Sequence, residues 1–178
     1  MKYILTAEQM READEFAIGR AGIPSITLME RAGAALADEA EDMCPQGDIV
    51  VVCGGGNNGG DGFVCARVLR ERGRSAAVVC IADRMTEECR VSRNKFEKAG
   101  GEVFSVFPRR RFALAVDCLF GTGFHGEPTG KSAAAIDYVN STAEKVLAAD
   151  VPSGVSGTDG RAAKRAVKAD RTLCIGEY

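Results

Sequence analysis

Short, unbroken apolar runs alternate along this chain with stretches whose apolar residues recur at helical spacing, and that alternation restricts the fold more than any other feature. The run Ile49 to Cys53 leads through a glycine-dense turn into a helical pattern over 62–72. A strand at 76–81, a helix at 87–99, strands at 103–107 and 113–119, a helix at 132–140, a strand at 145–149 and a last strand near 171–175 follow. Strands that are apolar at every position are buried on both faces. Strands joined through helices make right-handed crossovers and pair in parallel. The pattern therefore predicts an α/β fold, a three-layer α/β/α sandwich with a Rossmann-like, mainly parallel sheet. At 178 residues and 46% hydrophobic content the chain fills one core and is short for two, so residues 1–178 are read as one domain.

Two helices precede the first strand. Thr6 and Gln9 have the spacing of a capping box ahead of Met10, Ala13, Phe16 and Ala17, with a stop at Gly19 or Gly22. Ser25 is placed to cap a second helix whose apolar face carries Leu28, Met29, Ala32, Ala35 and Leu36. A dinucleotide-binding domain ordinarily begins on its strand, so this prefix is expected to cover a sheet face, the ligand site or a partner subunit.

Charge and cysteine usage narrow the setting. A net charge of −2 supplies no field for nucleic acid or an anionic membrane, and the short run Arg109, Arg110, Arg111 reads as a solvated loop. No apolar run approaches the roughly 20 residues of a membrane span, and MKYILTAEQMREADEF turns polar too early for a signal-peptide core. Seven cysteines at 44, 53, 65, 80, 89, 118 and 174 have no CxxC spacing, and read as buried thiols in a reducing cytoplasm.

The chemistry concentrates in three loops. GGGNNGGDG, residues 54–62, sits between a strand and a helix, where glycines admit close backbone approach and a helix N-terminus presents N–H groups to an anion. It has no Walker lysine, and its GxGxxG match at Gly54, Gly56 and Gly59 is interrupted by Asn57 and Asn58. Those amides and Asp61 bring donors and oxygens that a purely structural turn does not need. Asp117 in AVDCLFGTG and Asp150 in VLAADVPSG fall at strand ends. Taken singly, either could cap a turn or end a strand. In a parallel sheet, however, the carboxyl ends of all strands share one edge, so loops 54–62, 117–127 and 150–158 are expected to converge there. Asn58, Asp117 and Ser153 then form an all-oxygen set suited to a hard cation. With one acidic member, it points to a monovalent ion such as potassium.

Four separated segments now carry a resemblance. GGGNNGGDG, DCLFGTGFHG and DVPSGVSGTDG, preceded by MREADEFAIGRAGIPSITLMERAG, occur in the order of the NAD(P)H-hydrate epimerase family and cover nearly the whole chain. The resemblance implies a Rossmann-like homodimer that interconverts the R and S epimers of hydrated NADH and NADPH (NADHX and NADPHX), the S epimer being the one a fused or separate ADP- or ATP-dependent dehydratase repairs. It implies substrate contacts at Asn57, Asn58, Gly59, Gly60 and Asp61, at Gly121, Thr122, Gly123, Phe124, His125, Gly126 and Glu127, and at Asp150. It implies a potassium ion on Asn58, Asp117 and Ser153, the same oxygens singled out above.

Inverting C6 of a hydrated nicotinamide ring requires its hydroxyl to leave and return, or the ring to open and reclose. A carboxyl group that passes a proton to and from the hydroxyl serves either route. Asp150 is assigned that role and Asp117 the metal, a division that the pattern alone leaves open. His125, the one histidine, is either a contact to substrate phosphate or ribose or an exposed loop side chain. Two other readings stand beside the epimerase. One is a non-catalytic dimeric scaffold binding nucleotide or RNA, as in relatives of this fold among messenger-RNA decapping factors. The other is a dehydrogenase with Asp83 on the ribose.

Overall fold

In the computed structural model, the described residues are 22–175 together with Gln9, Glu12, Ala13, Phe16, Gly19 and Arg20. The alternation resolves into α1 (Ser25–Met43), β1 (Ile49–Cys53), α2 (Asn57–Glu71), β2 (Ala76–Cys80), α3 (Glu87–Lys98), β3 (Val103–Phe104), β4 (Phe112–Cys118), α4 (Gly130–Thr142), β5 (Ala143–Ala149) and β6 (Arg171–Leu173). The strands form one parallel sheet in the order β3-β2-β1-β4-β5-β6. This is the doubly wound order, which reverses between β1 and β4 and opens a crevice beyond their carboxyl ends. Cys53 is in register with Cys80 on one side and Cys118 on the other, so the three central strands end at one level.

The apolar runs are continuous because both faces of the sheet are covered. Leu36 of α1, Phe63 and Leu69 of α2 and Phe96 of α3 pack on Val51, Val78 and Val116. On the opposite face, Ile136 and Val139 of α4 meet Val50, Val52 and Ala115. Each fully buried side chain of this size stabilises the fold by about 1.5–3 kcal/mol before entropy is counted. The start of α3 is fixed by Thr86, whose Oγ1 accepts from the Cys89 N–H at 3.3 Å, with Glu87 and Glu88 in the first turn facing the positive end of the helix dipole.

Several local expectations change. The glycine-dense stretch is a turn only over Gly54–Gly56; α2 already begins at Asn57. None of its glycines has a positive φ. They act instead as spacers: an ideal Cβ on Gly60 would lie 2.5 Å from the Met29 side chain, and one on Gly62 would lie 2.7 Å from Cys53 Sγ. Ser25 does not cap α1; Pro24 holds that position, and Ser25, the first helical residue, donates from Oγ to Glu88 Oε1 at 2.9 Å. Ala35 is exposed, and Gly33 and Ala37 take its place in the buried stripe. The strand expected over 103–107 is only two residues long, with Val106 exposed, and the last strand is three, because both lie at sheet edges with one neighbour each.

Six cysteines are buried and free, whereas Cys174 is exposed just after β6. Arg109, Arg110 and Arg111 are exposed as expected; Arg110 pairs with Asp48 at 3.1 Å. Gln9, Glu12, Ala13, Phe16 and Gly19 have helical backbone, while Thr6, Met10 and Ala17 lie outside the described residues. Among the described residues no helix is long and apolar enough to cross a membrane.

Candidate functional site

The ends of β1 and β4 meet through a backbone contact so close that only glycine fits. Gly54 N–H donates to Cys118 C=O at 3.0 Å, and an ideal Cβ on Gly54 would stand 2.1 Å from Leu119 O. This contact brings the first turn of α2 against the segment after β4. Asn58 there donates from Nδ2 to Phe120 C=O at 2.8 Å. Its Oδ1 is buried with no hydrogen-bond partner among the described residues.

Asp117, near the end of β4, is wholly buried. Its Oδ2 accepts from Ser153 N–H at 2.8 Å, and its Oδ1 accepts from Ser153 Oγ–H at 2.7 Å and Leu119 N–H at 3.2 Å. Ser153 Oγ in turn accepts from Phe120 N–H at 3.0 Å. Phe120 is therefore the junction, with Asn58 on its carbonyl and Ser153 on its amide. Burial pushes the Asp117 carboxyl up to about 6, against the hydrogen bonds from Ser153 and Leu119 that pull it down. A buried carboxylate beside an unpartnered amide oxygen is the environment in which a cation favours the charged form.

Asp150 follows β5 with φ +66°, the only non-glycine residue at positive φ among those described. Aspartate tolerates this conformation better than most side chains. Its Oδ2 accepts from Thr122 N–H at 2.8 Å, and its own N–H donates to Leu173 C=O at 2.8 Å, tying the carboxylate to β6 and to the loop after β4. An ideal Cβ on Gly121 would lie 2.7 Å from Asp150 Oδ2 and 3.8 Å from Asn58 Cβ, so both residues crowd the same glycine. Asn58, Asp117, Asp150 and Ser153 thus gather at one end of the sheet.

The remaining expected residues separate. Asn57 is exposed, with Oδ1 accepting from Thr86 Oγ1–H at 3.5 Å, whereas Gly59, Gly60 and Asp61 are buried. Gly121 and Thr122 reach Asp150, and Phe124 stacks on Phe120 with centroids 4.1 Å apart. Gly123, His125, Gly126 and Glu127 are exposed. Asp83, the ribose acid of the dehydrogenase reading, is exposed and ion-paired with Lys131 at 2.6 Å. Sequence reasoning missed the part of Phe120, which is carried by its backbone, and the continuation of the expected loop 150–158 to residue 163, where Val155 bridges Ala162. Residues of that loop and Phe124, His125 and Glu127 line a cavity of about 290 Å³ beside the site.

Ser153→Ala removes the donor to Asp117 Oδ1 and the acceptor for Phe120 N–H together. A loss of about 1–3 kcal/mol is expected, read as a lower urea midpoint. An unchanged midpoint contradicts this network.

A family profile described as YjeF-related protein N-terminus matches residues 25–178. The chain is 32% identical over 177 residues to an NAD(P)H-hydrate epimerase of Rhodopirellula baltica, covering 95% of this chain and 72% of that one. It is 39% identical to an NAD(P)H-hydrate epimerase of Limosilactobacillus fermentum, covering 95% and 83%. A bifunctional NAD(P)H-hydrate repair enzyme of Moorella thermoacetica is 34% identical, and there the match takes 96% of this chain but only 35% of the relative. The crystal structure of the yeast protein ynu0 superposes with a TM-score of 0.86 at 21% identity, over 97% of this chain and 80% of that one, which establishes the shared fold. With the family profile spanning most of the chain and these relatives aligned along nearly all of it, the chain belongs to the NAD(P)H-hydrate epimerase family, the YjeF-related N-terminal domain.

Proposed function

We propose that this chain is an isomerase that interconverts the R and S epimers of NAD(P)H hydrate, a metabolite-repair reaction, with Asp150 as its acid and base. The observation that carries the reading is the meeting of Asn58, Asp117, Asp150 and Ser153 around Phe120 and Gly121. Asp150 is held by Thr122 N–H on one oxygen, which orients its carboxyl group for passing a proton to and from the ring hydroxyl. The N-terminal turn of α2 stands beside it, where its dipole steadies developing negative charge.

Potassium fits the residues present. The buried, unpartnered Oδ1 of Asn58 supports a cation there, with Asp117 and Ser153 Oγ completing the donors. Among the described residues no group of three or more His, Cys, Asp or Glu side chains could hold a metal, so neutral oxygens around one carboxylate are the available ligands. When bound, the ion supplies positive charge to the pocket. We further propose that the domain spans residues 1–178, that it acts as a cytoplasmic homodimer, and that its S product passes to a fused or separate ADP- or ATP-dependent dehydratase. The bifunctional relative from Moorella thermoacetica supports that last pairing.

The test is epimer exchange. Purified protein is given an R-enriched mixture of NADHX or NADPHX, and the approach to equilibrium is followed chromatographically in potassium and in tetramethylammonium buffers. Acceleration over the spontaneous rate is expected, and it is greater with potassium. No acceleration in either buffer rejects the epimerase; equal rates in both reject the cation.

A further inference from the structure

The loop 154–163 brings an arginine, Arg161, into the wall of the cavity beside the catalytic cluster. We infer that Arg161 binds a phosphate group of the dinucleotide, an inference that rests on the epimerase reading above and extends it to the non-reacting part of the substrate.

The cavity is continuous with the site through the chain itself. Gly154, in its wall, directly follows Ser153, and Phe124, in the facing wall, stacks on Phe120. Thr122, two residues before Phe124, donates to Asp150. A substrate with its hydrated ring at Asp150 must lay its ribose and phosphates in adjoining space, and this cavity adjoins. At about 290 Å³ it stands at the small end of ligand pockets and takes a part of a dinucleotide.

Arg161 is held there by its backbone. Ser156 N–H donates to Arg161 C=O at 2.9 Å, next to the Val155–Ala162 bridge, and Arg161 N–H donates to Asp159 Oδ1 at 3.2 Å. Among the described residues its guanidinium has one charge partner, Asp159 Oδ2, which faces Nε at 3.4 Å. The side chain is 88% exposed, and its two terminal nitrogens form no hydrogen bond or ion pair among the described residues, leaving the planar fork that suits phosphate oxygens open. Two carboxylates share these walls, and each already accepts backbone hydrogen bonds. Glu127 accepts from Lys164 N–H at 3.0 and 3.3 Å, and Asp159 accepts from the Arg161 amide. His125 also lines the cavity.

The proposed substrates offer two phosphate sources, the diphosphate common to both and the additional ribose phosphate of NADPHX. The test compares the wild-type chain with Arg161→Ala and Arg161→Lys in exchange assays on each substrate. Calorimetric binding of ADP-ribose and of its 2′-phosphorylated form accompanies them. Losing one exposed, charge-assisted phosphate contact is expected to raise KM about tenfold in Arg161→Ala, the loss falling on KM rather than kcat because the contact is remote from the reacting carbon. Arg161→Lys restores part of it, since a lysine keeps the charge and loses the fork. A rise on both substrates assigns the diphosphate, and a rise on NADPHX alone assigns the ribose phosphate. KM and binding unchanged for every ligand overturn the inference. Failure of the wild-type protein to exchange epimers strikes the epimerase reading instead, and the binding measurement still decides Arg161.

Discussion

Replacing Asp150 by asparagine is expected to slow epimer exchange about 100- to 10,000-fold, the range that a positioned general acid or base contributes. Asparagine is the informative substitution here because it keeps the size and shape of the residue and one acceptor oxygen while removing its charge and its ability to exchange a proton. It tolerates the left-handed backbone at φ +66°, where alanine would cost about 1–2 kcal/mol. Its Oδ1 can still accept from Thr122 N–H, which the carboxylate does at 2.8 Å. The loop after β4 therefore remains seated, and the urea midpoint is expected to stay close to that of the unmodified protein. A fall in rate without a fall in stability separates the carboxyl group's chemical role from its structural one. Exchange at the normal rate in Asp150→Asn removes this carboxylate from the chemistry and leaves the proposed mechanism without its acid.

The position of Asp150 was legible in the sequence for a simple topological reason. Continuous apolar runs at 49–53 and 146–149 require a sheet covered on both faces, such a sheet is parallel, and a parallel sheet collects its strand ends at one edge. Asn58, Asp117 and Ser153 follow by the same logic, since each lies within a few residues of a strand end. What the sequence hid is local and backbone-mediated. Phe120 joins Asn58 to Ser153 through its carbonyl and amide, groups that every residue carries, so no side-chain pattern marks it. Ser25 has the composition of a cap and lies one position too late to be one, because Pro24 already sets the entry to α1. Arg161 sits in a short polar loop that nothing in the sequence ties to the site, and the Val155–Ala162 bridge brings it into the same cavity wall as Phe124 and His125. The beginning of α2 was obscured by its own composition. Glycine is the poorest helix former after proline, so a stretch with glycine at 59, 60 and 62 reads as a turn. Packing of α2 against β1 and α1 outweighs that preference.

The same packing makes Gly59→Ala a strongly destabilising substitution. An added Cβ would stand 2.1 Å from Gly54 O and 2.7 Å from its carbonyl carbon. Both are main-chain atoms, so no side-chain rotation relieves the clash. Neither partner is free to retreat. Gly54 is tied to β4 by its hydrogen bond to Cys118 C=O, and α2 is anchored by the fully buried Phe63, whose ring lies 6.1 Å from that of Phe96. Overpacking of this kind costs about 3 kcal/mol, and the better helix propensity of alanine returns about 1, leaving a net loss of about 2 kcal/mol. Movement of α2 away from Gly54 would also draw Asn58 off Phe120 C=O, so epimer exchange is expected to fall with stability. Gly56→Ala is the control: it lies in the same glycine-rich stretch, yet an ideal Cβ there meets nothing within 4 Å, and its urea midpoint is expected to move by about 0.5 kcal/mol or less. If Gly59→Ala unfolds at the same urea concentration as Gly56→Ala, the glycines of this stretch are not spacers between α2 and β1, and the account of how Asn58 reaches the site fails with them.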